Sequence, residues 1–253
     1  EIREQHGRAD VVYAANTLCH IPYLDEVFTG LDTLLTQDGV LVFEDPYLGD
    51  IVRIGSFDQI YDEHFYFFSA TSVSRIVDRW GFSLVDVERL PVHGGEVRYT
   101  VARTGRRAPS AAVVAMVQEE ARSGLHDPAV LTAFADEVQA RRVQLRDLLR
   151  SIRSEGREVA GYAATAKSAT VLNYCGIGPD LLPVVYDTTP EKQGRLTPGS
   201  HIPVRRFPDN VADYPDYFLL FAWNHADEVM EKEQEFAARG GRWIRYVPRV
   251  FVD

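Results

Sequence analysis

The densest run of reactive side chains lies in the segment QIYDEHFYFF (59–68), where Tyr61, Asp62, Glu63 and His64 follow one another inside strongly aromatic surroundings. Water is scarce in such a setting. Desolvation lowers the pKa of an imidazole, whereas a neighbouring carboxylate favours its charged form, and these opposed effects can poise His64 as a general base near neutral pH. A His and a Tyr satisfied by backbone groups in a buried loop would present the same residues.

A second chemistry, anion binding, is suggested by GYAATAKSAT (161–170). It follows a predicted strand and opens a predicted helix, so its first amides and the positive end of the helix dipole face whatever lies above. Small side chains admit an anion, while Thr165, Lys167 and Ser168 offer hydroxyls and a cation. It is neither a dinucleotide glycine fingerprint nor a Walker loop, and a tight helix–strand contact is the plain alternative. Further on, YDTTPEKQGRLTPGSHIPV (186–204) places Asp187 where an acid commonly meets a ribose, with Lys192 and His201 nearby. In FAWNH (221–225), Asn224 stands at a strand end, as a ligand contact or as a helix cap.

Ligands of open parallel sheets bind beyond the carboxyl ends of strands, which singles out Asn16, Thr17 and His20 after one predicted strand and Glu44, Asp45 and Tyr47 after the next. In PVHGGEVRYT (91–100), His93, two glycines and Arg98 adjoin a strand, and a hairpin turn or a binding loop would serve equally well.

The elements that must position these groups can be read from hydrophobic periodicity. Residues 9–15 and 40–43 are apolar runs of strand length, separated by an amphipathic helix from Leu24 to Leu35, and both faces apolar suits a parallel sheet covered by helices. Ser69 caps a helix through Trp80, Gly81 stops it, and strands follow at 82–87 and 96–103. From Pro109 to about Glu155 the pattern is long helix, with Leu131, Phe134, Val138, Leu145, Leu148 and Ile152 on one stripe. Strand and helix then alternate again to the end. The predicted fold class is α/β, with two Rossmann-like doubly wound units (1–108 and 156–253) joined by a helical connector (109–155); the alternative is a continuation of one domain.

Composition sets outer bounds. The chain has 253 residues, 45% hydrophobic and 25% charged, which excludes disorder as a general state. A net charge of −10 argues against a nucleic-acid or anionic membrane partner. Cys19 and Cys175 are too few for a four-cysteine zinc site, suggest no disulfide framework, and suit a reducing cytoplasm. No metal is expected in this chain, and no apolar run is long enough to span a membrane.

Taken together, YAANTLCHIPY, FEDPYLGDIV, IYDEHFYFFSATSV, PVHGGEVRYT, GYAATAKSAT, DTTPEKQGRLTPGSHIPV and FAWNHADE resemble the S-adenosylmethionine-dependent sugar C-methyltransferases that act on nucleotide-linked keto-deoxysugars in antibiotic biosynthesis, in particular the dTDP-sugar 3-C-methyltransferases of tetronitrose pathways. The resemblance runs from about Ala9 to the C-terminus. It implies that residues 1–108 correspond to the later part of a methyltransferase domain and 156–253 to a Rossmann-like domain holding the sugar nucleotide. The family also carries an N-terminal zinc subdomain and an acidic glycine-rich cofactor loop that have no counterpart in this chain, which is expected to be the latter part of a longer enzyme. Ala163 stands where the family tends to have Gly.

Carried over residue by residue, the resemblance implies His64 as catalytic base, with Tyr61, Glu63 and His20 as companions, and Ala15 and Asn16 as contacts of S-adenosylmethionine. Tyr162, Thr165, Lys167, Ser168, Asp187, Lys192 and Asn224 are the expected holders of the dTDP-linked keto-deoxysugar, by strand-end position alone. In this chemistry a base removes a proton beside a ketone while a donor meets the developing enolate oxygen. His64 is expected to take the C-3 proton of a 4-keto sugar, Glu63 to orient and charge-balance it, and Tyr61 or His20 to serve as donor. A monomer is the working expectation. The alternative from another class is a non-catalytic nucleotide-sugar-binding module. A nicotinamide-dependent dehydrogenase or epimerase lacks its glycine fingerprint here.

Overall fold

The computed structural model describes residues 1–92 and 94–253, so His93 lies outside the described residues. Two units divide the chain, one of residues 1–53 and 62–132, the other of 54–61 and 133–253.

In the first unit a short helix α1 (Ile2–His6) precedes β1 (Ala9–Ala15), whose bounds match the apolar run. Helix α2 (Leu24–Leu34) leads directly into β2 (Leu35–Pro46), and α3 (Leu48–Ile54) follows. Next come α4 (Ala70–Asp78), β3 (Phe82–Leu90) and β4 (Glu96–Arg103), closed by α5 (Ala111–Ser123). The sheet order is β1-β2-β4-β3. The runs expected to suit a parallel sheet, β1 and β2, do pair in parallel, whereas β4 is antiparallel to both β2 and β3, so the sheet as a whole is mixed. Five residues join β3 to β4, and so short a connection permits only an antiparallel pair. Gly95 in that hairpin has φ +118, and a Cβ there would stand 2.5 Å from Asp50 Oδ2. Strand β1 lies at the sheet edge with Val11 57% and Tyr13 59% exposed, so its apolar run is not covered on both faces.

Helix α6 (Pro128–Ser154) starts in the first unit and continues into the second. Its buried stripe is Val138, Leu145, Leu149 and Ile152, whereas Leu131, expected on that stripe, is 41% exposed. Strand β5 (Val159–Tyr162) leads into α7 (Ala166–Cys175), followed by β6 (Val185–Tyr186), β7 (Val204–Arg205) and β8 (Tyr217–Leu220). Helices α8 (Ala226–Lys232) and α9 (Gln234–Ala238) precede β9 (Arg242–Arg245) and β10 (Phe251–Val252). The order β10-β9-β8-β5-β6-β7 is parallel except for β10. Chain direction across the sheet reverses at β5, which makes the carboxyl ends of β5 and β8 a topological switch point, where the ligands of such sheets bind. The two-residue strands β7 and β10 are too short to show in the hydrophobic pattern.

One buried acid organises the α4 end of the first unit. Glu120 of α5 is 1% exposed and accepts from the Ala70 and Thr71 amides and from the Tyr47 hydroxyl, at 2.7, 2.9 and 3.1 Å. Together with Ser69, whose hydroxyl forms a reciprocal box with Ser72, it satisfies the free amides of the first turn of α4. Replacing Glu120 by Ala is expected to destabilise the first unit by about 3 kcal/mol in urea unfolding, because two amides and a hydroxyl lose a charged acceptor. A loss below about 0.5 kcal/mol would mean that water satisfies those donors instead.

Candidate functional site

In the first unit, the carboxyl ends of β1 and β2 lie side by side because Ala15 pairs with Glu44. Asn16 continues the contact, donating its amide to the Glu44 carbonyl at 2.7 Å. It then turns at φ +48, a conformation Asn tolerates better than most residues. A 3-10 turn, Leu18–His20, follows and buries Cys19 completely. The Cys19 carbonyl accepts from two amides of the aromatic segment, Phe65 at 2.8 Å and Tyr66 at 3.3 Å. The Tyr66 hydroxyl reaches the Pro22 carbonyl at 2.9 Å. These bonds bring the His64 ring edge-on to His20, with centroids 4.8 Å apart, while Phe67 flanks His64 at 5.8 Å.

His20 Nδ1 lies 2.9 Å from the Glu63 carbonyl. A carbonyl can only accept, so Nδ1 carries the hydrogen and Nε2 of the neutral ring keeps a lone pair. Cys19 Sγ and one nitrogen from each of His20 and His64 all lie within 4.8 Å of one another. Beside them Asp45, at the end of β2, is 0% exposed, and neither of its oxygens has a hydrogen-bond partner of good geometry. Burial pushes its carboxyl up to about 6, and the neighbouring Cys19 thiol and amide, the His20 charge and the Thr17 amide offset only part of that rise. The Cys19 thiol is driven well above its ordinary range by burial and by Asp45.

The residues expected here are thus partly gathered. His20 and His64 meet. The side chain of Glu63 is exposed, and its backbone carbonyl holds His20; the buried acid acting on that imidazole is Asp45. Tyr61 falls at the end of the 54–61 segment counted with the second unit, and His64 with the first. Ala15 and Asn16 are exposed at the end of β1. Asp45 had drawn notice only as one polar residue among several after a strand. Cys19 carried no signal beyond its place one residue before His20.

In the second unit, the expected nucleotide residues separate into three environments. Lys167 stands in the first turn of α7, beyond β5, and Trp223 and Asn224 stand beyond β8, so both groups adjoin the switch point. Between them the sequence reading missed Asp58, which is 0% exposed. Its Oδ2 accepts from Trp223 Nε1 at 2.6 Å and Tyr246 Oη at 2.7 Å, while Oδ1 is buried with no partner. Burial raises its carboxyl, and the two donors and the Lys167 charge partly offset this. Asn224 lies within the 3-10 turn Trp223–His225 rather than at a cap position.

The second environment lies beyond β6. Asp187 accepts from the Ala164 amide at 2.7 Å and the Thr189 amide at 2.8 Å, and Lys192 Nζ spans the Ala164 carbonyl and Asp187 Oδ2 at 2.8 and 3.4 Å. Burial alone would raise the Asp187 carboxyl, but the Thr189 and Ala164 donors and Lys192 outweigh it and hold it below its usual range. The pair clasps the loops after β5 and β6 together. Thr165 caps α7 by accepting from Ser168 N, and the Ser168 hydroxyl donates to the Thr165 carbonyl. A cavity of about 270 Å³ adjoins this cap, with Lys192, Arg195 and Leu196 in its wall.

Tyr162 belongs to neither group. Its ring packs against Phe207, Phe218 and Trp243, and its hydroxyl donates to Glu233 at 2.8 Å. The side chain is therefore a core element, because alternation along β5 turns it to the covered face.

Asp45 gives this geometry a measurable consequence. A carboxyl whose folded pKa of about 6 exceeds its ordinary 3.8 penalises the folded state above pH 6, and the penalty is relieved as pH falls from about 6 toward 4. Asp45→Asn should remove a cost of about 3 kcal/mol at neutral pH, at 1.36 kcal/mol per pKa unit. In urea unfolding the variant should exceed the wild type at pH 7.5 and approach it at pH ~4.5. Equal stability at both pH values would show that Asp45 is not an uncompensated buried acid.

Residues 91–248 match the profile of a family described as C-methyltransferase C-terminal domain, and residues 1–87 match one described as methyltransferase domain. The chain is 37% identical over 249 residues to the C-methyltransferase NovU of Streptomyces niveus, which covers 98% of this chain and 59% of that protein.

Proposed function

The chain belongs to the C-methyltransferase family marked by that C-terminal domain, and from this membership we propose that it provides the base and the substrate-holding part of an enzyme that methylates a dTDP-linked 4-keto-deoxysugar, with C-3 as the carbon. The enzyme would draw its methyl group from S-adenosylmethionine. The observation that carries the reading is the edge-on His20–His64 pair beyond the carboxyl ends of two parallel strands, backed by the buried, incompletely satisfied Asp45. No helix among the described residues is long and apolar enough to cross a membrane.

The residues fit the outer edge of a methyl-donor site. Ala15 and Asn16 are open at the end of β1, and the left-handed Asn16 turns the chain away and leaves that edge clear. When bound, the sulfonium group supplies an electrophilic methyl. His64, half-buried against Phe67, removes the proton on the carbon beside the ketone. His20 or Tyr61 donates to the enolate oxygen. The case for His20 is that the Glu63 carbonyl fixes its ring through Nδ1, so that Nε2 is the atom that would donate to the oxygen when it carries a proton.

For the second unit we assign the diphosphate to the start of α7 beside Lys167, with Trp223 and Asn224 across the switch point. Asp187 and Lys192 act one step removed, by fixing the loop that presents those amides. Thr165 and Ser168 serve the same end through the cap. Antibiotic deoxysugar biosynthesis is the context in which such a substrate would be met.

Two experiments bear on the two halves of the proposal. In the complete enzyme His64→Asn should cut methyl transfer by about 10²-fold or more while calorimetric dTDP affinity stays near wild type; undiminished turnover would remove His64 from the base role. Lys167→Ala should weaken dTDP binding by calorimetry about tenfold, as loss of one charged contact does. Unaltered affinity would reject the phosphate assignment.

A further inference from the structure

The acid–base pocket has a property that proton transfer does not use. Cys19 brings a thiol into the same small space as the two imidazoles, and Sγ and one nitrogen of each ring are mutually within 4.8 Å. A tetrahedral cation with bonds of about 2.0–2.3 Å to nitrogen and sulfur separates its ligands by some 3.3–3.8 Å, so small side-chain rotations suffice to close the set. One thiolate and two imidazoles select borderline-soft cations over magnesium or calcium, which prefer oxygen. Two further observations point to a cation. The Asp45 carboxylate is fully buried beside Cys19 and His20 and, among the described residues, has no hydrogen-bond partner of good geometry. The Glu63 carbonyl also holds His20 through Nδ1, which leaves Nε2 as the ligand atom, the kind of outer support that orients a metal-binding imidazole.

We propose that Cys19, His20 and His64 form a binding site for a divalent cation of the zinc and cadmium class, and that a bound cation blocks the proton-accepting role assigned to His64. The second part rests on the function proposed above; the first does not. Binding exchanges the S–H bond of Cys19 for a sulfur–metal bond. The released proton passes first to Asp45 or to solvent, and no electrons are transferred. His64 Nδ1 or Nε2 gives its lone pair to the cation and can no longer accept a proton from a carbon acid. Because a proton leaves on binding, affinity should rise with pH.

The test is titration of the chain with Cd²⁺, and separately with Co²⁺, in the absence of any methyl donor or sugar. Wild type should take up one Cys19-dependent cation, seen as a thiolate-to-cadmium charge-transfer band and as intense tetrahedral cobalt absorption. Cys19→Ser should abolish the band and weaken binding by at least about tenfold. Cys175, buried in the second unit, remains in that variant as an internal control. His20→Gln should weaken binding similarly while keeping the band, and it carries the test if circular dichroism shows that Cys19→Ser does not fold. A band that persists in Cys19→Ser, or affinities equal to wild type in both variants, overturns the site. These titrations require no turnover, so their failure leaves the His64 assignment standing. Conversely, full turnover of His64→Asn would defeat that assignment without touching the metal measurement.

Discussion

A single backbone carbonyl does most to set the geometry of the proposed centre in the first unit. Cys19 O accepts both the Phe65 and the Tyr66 amides, and that fork is what ties the aromatic segment to the turn after β1. The Tyr66 hydroxyl on the Pro22 carbonyl and His20 Nδ1 on the Glu63 carbonyl reinforce it, and together these bonds hold the His64 ring against His20. The fork works only because Cys19 is itself immobile: the parallel β1–β2 register delivers it, and complete burial keeps water from competing for its carbonyl. A main-chain contact of this kind is indifferent to side-chain chemistry, so the position is free to carry a thiol.

The buried acids sort by how fully they are satisfied. Glu120 has three donors and closes a helix end, and Asp187 has its loop amides and Lys192; each is repaid locally. Asp45 and one oxygen of Asp58 are not. An unsatisfied buried carboxylate costs stability, and a fold tolerates it where something other than stability is gained. Asp45 lies at the carboxyl end of β2, while Asp58, in the 3-10 turn Phe57–Gln59, accepts from Trp223 and Tyr246 just beyond β8 and β9; each is next to a group that carries or accepts positive charge, His20 in one unit and Lys167 in the other. That pattern separates structural acids from those placed to bias a neighbouring charge.

Much of this was legible in the sequence. The bounds of β1, β4 and β5 coincide with their apolar runs, and the Ser69 cap was readable from residue type. Likewise His64 stood out because ionisable residues among aromatics are conspicuous in one dimension, and His20 because it follows a strand end. The antiparallel half of the first sheet was hidden because strand periodicity carries no direction; only the five-residue β3–β4 connection does. Asp58 was hidden for another reason. Its partners, Trp223 and Tyr246, are 165 and 188 positions away, and no local pattern marks a side chain whose meaning comes from such distant donors. Tyr162 misled because strand-end position specifies where a residue stands, while alternation specifies which way it faces.

The first-unit cluster also exposes a tension between two uses of one geometry. Two imidazoles edge-on, a thiol and a buried acid suit the proton transfer proposed for them because several groups able to take or release a proton meet in one small space. The same groups stripped of protons are a good ligand set. Which behaviour prevails is a competition between protons and cations for the same lone pairs, and Asp45 acts on both sides of it. As a carboxylate it favours a positive charge of either kind nearby, and by raising the cost of ionising Cys19 it keeps the third ligand protonated until a cation is present to replace that proton. Burial of Cys19 therefore does more than anchor the loop: it holds the thiol out of the proton chemistry of the two histidines.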